Sequence, residues 1–206
     1  MNTIAYLKER YGCGVPIFLK DIRIGGKSKT AIKQALYRAC KKGEISKDIR
    51  GVYYFPRYQE LFVQRPFPED VLQEKYIGGT EASNSQVFGY RSGLTFLNDI
   101  HLSEQVPAIL EITTNKTSSK KYELICGWQR VWLRKPKTKI TSENWRVLQF
   151  LDMFHFTDID EVNERKKLFV KYIEKWIPKG MASRYFNLYP RRTVQIIVDS
   201  GLIDYL

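Results

Sequence analysis

At 206 residues and 24.2 kDa the chain is long enough for one or two domains. A composition of 43% hydrophobic, 27% charged and 14% aromatic residues fits a packed globular core and excludes disorder. No apolar run approaches the roughly 18 residues of a membrane span, Lys8 and Glu9 interrupt any signal-type stretch, and the scattered Cys13, Cys40 and Cys126 argue against a disulfide framework, so a cytoplasmic protein is expected.

The balance of charge is +12, from 34 Lys/Arg and 22 Asp/Glu. Residues 1–58 hold 13 basic and 4 acidic side chains, hence +9, whereas residues 59–206 hold 21 and 18, hence +3. A field concentrated in the first quarter of the chain suits phosphate backbones, the alternative being an ordinary solvated basic surface.

Ile4, Leu7 and Tyr11 recur at helical spacing over Asn2–Tyr11, ended by Gly12 and Gly14. Pro16 is positioned to open a short second helix with Phe18, Leu19 and Ile22 inward, closed by Gly25-Gly26. Ser28 caps a third helix to about Lys42, with Gly43 at its end. Glu44–Phe55 reads as two strands about a turn near Asp48–Gly51. Helix, helix, helix and hairpin is the order of a winged helix-turn-helix over residues 1–58.

Pro56, Pro66 and Pro68 mark a joint, and residues 67–206 read as a second, mixed α+β domain. Helical character over Glu69–Ile77 and Ser92–Asp99 is followed by strands at Pro107–Thr114, Tyr122–Cys126 and Trp128–Leu133, with a polar loop Asn115–Lys121. From Thr141 the pattern is helical, carried by Trp145, Leu148, Leu151, Met153 and Phe154, then Leu168, Tyr172 and Trp176. Pro190 opens the last helix with Val194, Ile197 and Val198 on one face. The fold class is α+β, ending in a helical portion.

On a helical wheel the third helix gathers Ile32, Ala35, Leu36, Ala39 and Cys40 on one side. Thr30, Lys33, Gln34, Tyr37, Arg38 and Lys41 fill the other, a face fit for a DNA major groove. Arg38 and Lys33 can reach guanine, Gln34 can pair with adenine, and Lys27, Ser28 and Lys29 sit where phosphates approach the helix start. Lys47 and Arg50 flank the turn of the wing and are assigned phosphate or minor-groove contacts, with Tyr53 and Phe55 as core residues.

Catalytic patterns are missing. Gly25-Gly26-Lys27-Ser28 lacks the glycine of a phosphate-binding loop, because position 21 is Asp. His101 and His155 stand apart without metal-ligand spacing, and Asp158 and Asp160 lack the upstream Gly-Ser element of a nucleotidyltransferase and instead suit a helix cap. A nuclease built on Asp99 and Glu111 would need Lys where Thr113 stands. No catalytic residue, metal or cofactor is therefore assigned.

The run Lys29–Gly51, with Ala35-Leu36, Gly43-Glu44-Ile45 and Arg50-Gly51-Val52-Tyr53, resembles the winged helix of AbiE-type antitoxins. Tyr90-Arg91-Ser92-Gly93-Leu94-Thr95, Leu97-Asn98 and Leu102-Ser103-Glu104-Gln105-Val106-Pro107 are similar to that family's central signature, of which Ser92, Gly93, Asn98, Gln105 and Pro107 are the marks. The similarity covers residues 1–115 well and the rest loosely, with departures at Phe96, Asp99 and His101. The resemblance implies a non-enzymatic bacterial antitoxin of a type IV toxin–antitoxin pair. Such a protein represses its own operon through double-stranded operator DNA and counteracts a nucleotidyltransferase-like toxin without a stable complex. Independently of any family, Ser92 can cap a helix, Gly93 permits close approach, Asn98 can satisfy backbone at the helix end, and Pro107 can open an edge strand. Two other classes remain: an enzyme, nuclease or nucleotidyltransferase, targeted by the winged helix; and an RNA-binding interaction module.

Overall fold

A computed structural model describes residues 2–58, 62–79 and 86–206. The chain divides into two compact units, the first comprising the chain to Leu72 with the turn Ile125–Gln129, the second Gln73–Leu124 and Arg130–Leu206. The sequence places the joint at residues 56–68; the division of packing falls at Leu72–Gln73.

In the first unit, Asn2 caps α1 (Thr3–Tyr11) by accepting from the Ile4 amide, and Gly12 ends it at φ 72°. Ser28 caps α2 (Lys29–Lys41) by accepting from the Ala31 amide at 3.1 Å, and Gly43 follows at φ 72°. The short helix expected after Pro16 is absent. Ile17–Phe18 instead form β1, antiparallel to β3 (Val52–Tyr54), which also pairs with β2 (Ser46–Lys47). Buried Ile17, Ile22 and Ile24 still serve the core, joining Leu7, Ile32, Leu36, Ile45 and Phe55. Phe55 is buried in this core and half-buried Tyr53 packs against it, while Val52 and Tyr54 are buried as well. Arg57–Tyr58 (β4) pair with Val63–Gln64 (β5).

The first unit's α3 (Pro68–Leu72) is followed at the start of the second unit by a wider π-type turn, Gln73–Ile77, closed by the Gly78 amide on the Gln73 carbonyl at 2.7 Å. The second unit's sheet has the order β6-β7-β9-β8, from β6 (Gly89–Arg91), β7 (Ile109–Thr114), β8 (Lys121–Cys126) and β9 (Gln129–Arg134). β6 runs antiparallel to β7, and β7 parallel to β9 from Ile109↔Arg130 to Thr113↔Arg134. β7 is thus an interior strand, and Pro107 precedes it rather than opening an edge.

Between β6 and β7 lies α4 (Gly93–Asp99), and after β9 come α5 (Trp145–Met153), α6 (Ile159–Glu164), α7 (Lys166–Trp176) and α8 (Arg191–Asp199). Asp158 starts α6 through a full capping box with Glu161, the role its position suggested. The core is aromatic: Phe150 meets Phe154 edge-on at 5.1 Å and stacks on Tyr172 at 5.9 Å, and Phe154 meets Phe169 at 5.8 Å. Each such ring contributes about 1.5–3 kcal/mol through burial. In α7 the inward stripe is Phe169, Tyr172 and Ile173, while Leu168 faces solvent; in α8 it is Thr193, Ile196 and Ile197, with Val198 exposed.

Asp152 projects from α5 to accept from the Tyr90 hydroxyl at 2.6 Å. Burial pushes its carboxyl above the ordinary value, more than the hydroxyls of Tyr90 and Tyr189 and the charges of Lys137 and Arg134 pull it down. A carboxyl raised on folding favours the folded state when protonated, and that contribution is lost as pH rises through its folded value. Asp152→Asn should therefore gain stability relative to the parent between pH 4 and pH 7 in urea titrations. An unchanged difference would show that the carboxylate is fully compensated.

Candidate nucleic-acid interface

The exposed side of α2 is organised by its buried side. Ile32, Leu36 and Ala39 face the core, Ala35 and Cys40 are half-buried, and Lys29, Thr30, Lys33, Gln34, Tyr37, Arg38 and Lys41 are all exposed. Lys41 leans on the Tyr37 ring at 4.9 Å, which extends both from the helix surface. The first turn carries Lys29 and no acidic residue, contrary to what the positive end of the helix dipole favours. A cation at that end costs the helix some stability.

Two of the expected residues at the helix start have structural partners. Ser28 is the cap, and half-buried Lys27 donates to Thr3 Oγ1 at 2.6 Å, holding α1 to the start of α2. The β2–β3 hairpin is short: the Asp48 amide bonds the Val52 carbonyl, the Val52 amide bonds the Ile49 carbonyl, and Gly51 turns at φ 79°. Ile49 is buried beneath it, while Lys47 and Arg50 are exposed. Asp48 accepts from the Gly127 amide at 2.9 Å and lies 3.4 Å from the Cys126 thiol, so its charge is engaged away from the basic tip.

The segment Tyr90–Pro107 of the second unit forms a polar corner between β6, α4 and β7. Ser92 stands at the N-cap position of α4, but its hydroxyl does not cap; buried, it accepts from Thr113 Oγ1 at 2.9 Å. Thr95 Oγ1 accepts from the Glu111 amide at 2.9 Å. Gly93 adopts φ 60°, and a Cβ there would lie 2.7 Å from the Glu111 carboxylate. Asn98 donates to the Ser103 carbonyl at 3.1 Å, fixing the turn through His101. Gln105 is exposed and Pro107 half-buried. Glu111 accepts from Arg134 at 2.6 Å, and Asp99 lies 2.7 Å from Arg91. Both carboxylates of the nuclease reading are thus held by guanidinium groups. Among the described residues no group of three His, Cys, Asp or Glu is arranged to hold a metal, and no helix is long and apolar enough to cross a membrane.

A further basic surface escaped the sequence reading. Residues 116–121 and 134–139 contain seven Lys/Arg and no acidic residue. Asn115 joins the two loops by reciprocal hydrogen bonds with Ile140, at 2.8 and 3.0 Å, and Lys116, Lys120, Lys121, Lys135, Lys137 and Lys139 are all exposed. The signal was available, but averaging charge over residues 59–206 buried it beneath acidic stretches elsewhere.

No protein-family model matches the chain, and no characterised protein is significantly similar to it.

Proposed function

We propose that the chain is a DNA-binding autorepressor and antitoxin, whose first unit is a winged helix that reads duplex operator DNA with α2 and grips the backbone with the β2–β3 wing. The observation that carries the DNA half is the α2 face: seven exposed donors, acceptors and cations without an acid, opposite a fully packed apolar stripe. The β1–β3 pairing is compatible with this reading, because it braces the wing while the turns of residues 19–28 occupy the place of a second helix. Lys29, Thr30, Lys33, Gln34, Tyr37, Arg38, Lys41, Lys47 and Arg50 form the contact set. The antitoxin half rests on the similarity of Tyr90–Pro107 to the AbiE-type signature, in which Ser92, Gly93 and Asn98 act as scaffold rather than contact residues. No catalysis is assigned, and the toxin counteracted is nucleotidyltransferase-like.

Binding to the promoter fragment upstream of the chain's own coding sequence should weaken steeply with salt, with a log–log slope of about −0.9 for every phosphate neutralised. Fluorescence anisotropy between low and moderate salt measures it. A flat response would remove the repressor reading. Loss of protection when the full chain is co-expressed with a nucleotidyltransferase-like toxin encoded beside it would remove the antitoxin reading alone.

A further inference from the structure

A recess of about 320 Å³ opens in the second unit, at the small end of the ~300–1,000 Å³ range of small-molecule sites. Every residue lining it is among the described ones. Its floor is apolar: Leu97 and Phe169 are buried, and Leu102 and Phe156 half-buried. Glu104, Glu161 and Arg165 bring the charges.

Glu161 and Arg165 stand four residues apart, a spacing at which opposite charges on a helical turn ordinarily pair. They form no ion pair here. Glu161 turns back to the start of α6, where one carboxylate oxygen accepts from the Asp158 amide at 3.1 Å. Arg165 turns to the loop after α4, where Nη1 donates to the Leu102 carbonyl at 2.6 Å and to the His101 carbonyl at 3.3 Å. Backbone, not the counter-charge, therefore fixes each group. The Nε–Nη2 edge of Arg165, which suits a carboxylate side-on, has no partner among the described residues. Glu161 keeps its second oxygen, and exposed Glu104 pairs with no cation among them. The loop carrying Glu104 is itself held: Asn98 donates to the Ser103 carbonyl at 3.1 Å, and Ser103 Oγ accepts from the Gln105 amide at 3.2 Å.

Charges of both signs, kept apart over an apolar floor, are complementary to a ligand that carries both. A plain carboxylate would meet two acids beside its one guanidinium, and a plain amine would leave the guanidinium edge unused. We propose that this recess binds a small zwitterion with an apolar side chain, a free aliphatic amino acid. The Arg165 edge takes the carboxylate, Glu161 and Glu104 take the ammonium, and the side chain lies on Leu97, Leu102, Phe156 and Phe169.

The experiment is titration calorimetry of the full chain with L-leucine, N-acetyl-L-leucine, L-leucine amide and glycine. Leucine should bind saturably, with a dissociation constant below ~1 mM. Removing the ammonium, the carboxylate charge or the side chain, as the three analogues do, should weaken binding at least tenfold. Glu161→Gln should weaken leucine tenfold or more and erase its advantage over N-acetyl-leucine. Glutamine still closes a capping box, so α6 keeps its start in that variant. Arg165→Gln should instead erase the advantage over leucine amide. Should loss of its bonds to the two carbonyls unfold the chain, Glu161→Gln alone carries the test. The proposal is overturned by a leucine dissociation constant above ~1 mM, by any analogue that binds as tightly as leucine, or by a folded Glu161→Gln chain that binds leucine as the parent does.

Discussion

Replacing Lys33 and Arg38 together by glutamate is expected to abolish retention of promoter DNA, a loss of about a hundredfold or more. Each base contact of this kind contributes ~1–3 kcal/mol, and reversing its charge adds repulsion from the adjoining phosphates. Both side chains are exposed, so the fold should keep its stability within about 0.5 kcal/mol. The neighbouring residues sort the contacts: Gln34→Ala should relax discrimination at particular base pairs, whereas Lys47→Ala and Arg50→Ala should weaken operator and random DNA alike. Lys29→Glu gives the sharpest separation of fold from function. It places an acid in the first turn of α2, where none stands now, and should stabilise the helix by ~0.3–1 kcal/mol while weakening DNA binding. Opposite signs for stability and affinity are hard to obtain from a residue that merely solvates a surface. Were the double glutamate variant to bind operator DNA as the parent does, α2 would not be the reading helix.

α2 was legible because everything that forms it is local: a serine cap, thirteen residues with one apolar stripe, and a glycine just beyond. β1 was not. Phe18, Leu19 and Ile22 fit a helical stripe, but the glycines at 12, 14, 25 and 26 leave a short segment, and a helix that short is marginal without tertiary support. Pairing of Ile17 and Phe18 with Tyr53 and Val52 prevails, and no local pattern announces partners 36 and 34 residues away. Ser92 repeats the lesson at one side chain. Its place before α4 could be read, but the partner of its hydroxyl is Thr113, brought near only by the β6–β7 ladder. In α7 the helix was legible and its rotation was not, since Leu168 and Phe169 are adjacent apolar residues and packing selects Phe169.

Gly89→Ala should be among the most damaging single-methyl changes in the chain. Gly89 is buried in β6 with ordinary backbone angles, so its need for glycine is steric and not conformational. The Tyr76 carbonyl oxygen stands where a Cβ would go, and the Thr113 carbonyl oxygen lies 3.0 Å from the same point. Neither obstacle is a flexible side chain. Tyr76 is held in the π-type turn, whose neighbouring residue pairs with the Phe88 amide at 2.8 Å, and Thr113 lies in the interior strand. Relief therefore requires backbone movement, which puts the cost at ~1–3 kcal/mol or above. Gly25→Ala is the control: it has negative φ and open space around the new methyl, and reducing the freedom of the unfolded chain should leave it neutral or stabilising by up to about 1 kcal/mol. Urea unfolding monitored at the tryptophans measures both. The same displacement would carry Tyr90 and Arg91, the next two residues of β6, away from Asp152 and Asp99. Gly89→Ala should leave α2, in the other unit, with its DNA affinity. If stability is unchanged, the turn at Tyr76 yields more readily than its hydrogen bonds indicate; if stability falls and DNA binding falls with it, the two units are energetically coupled.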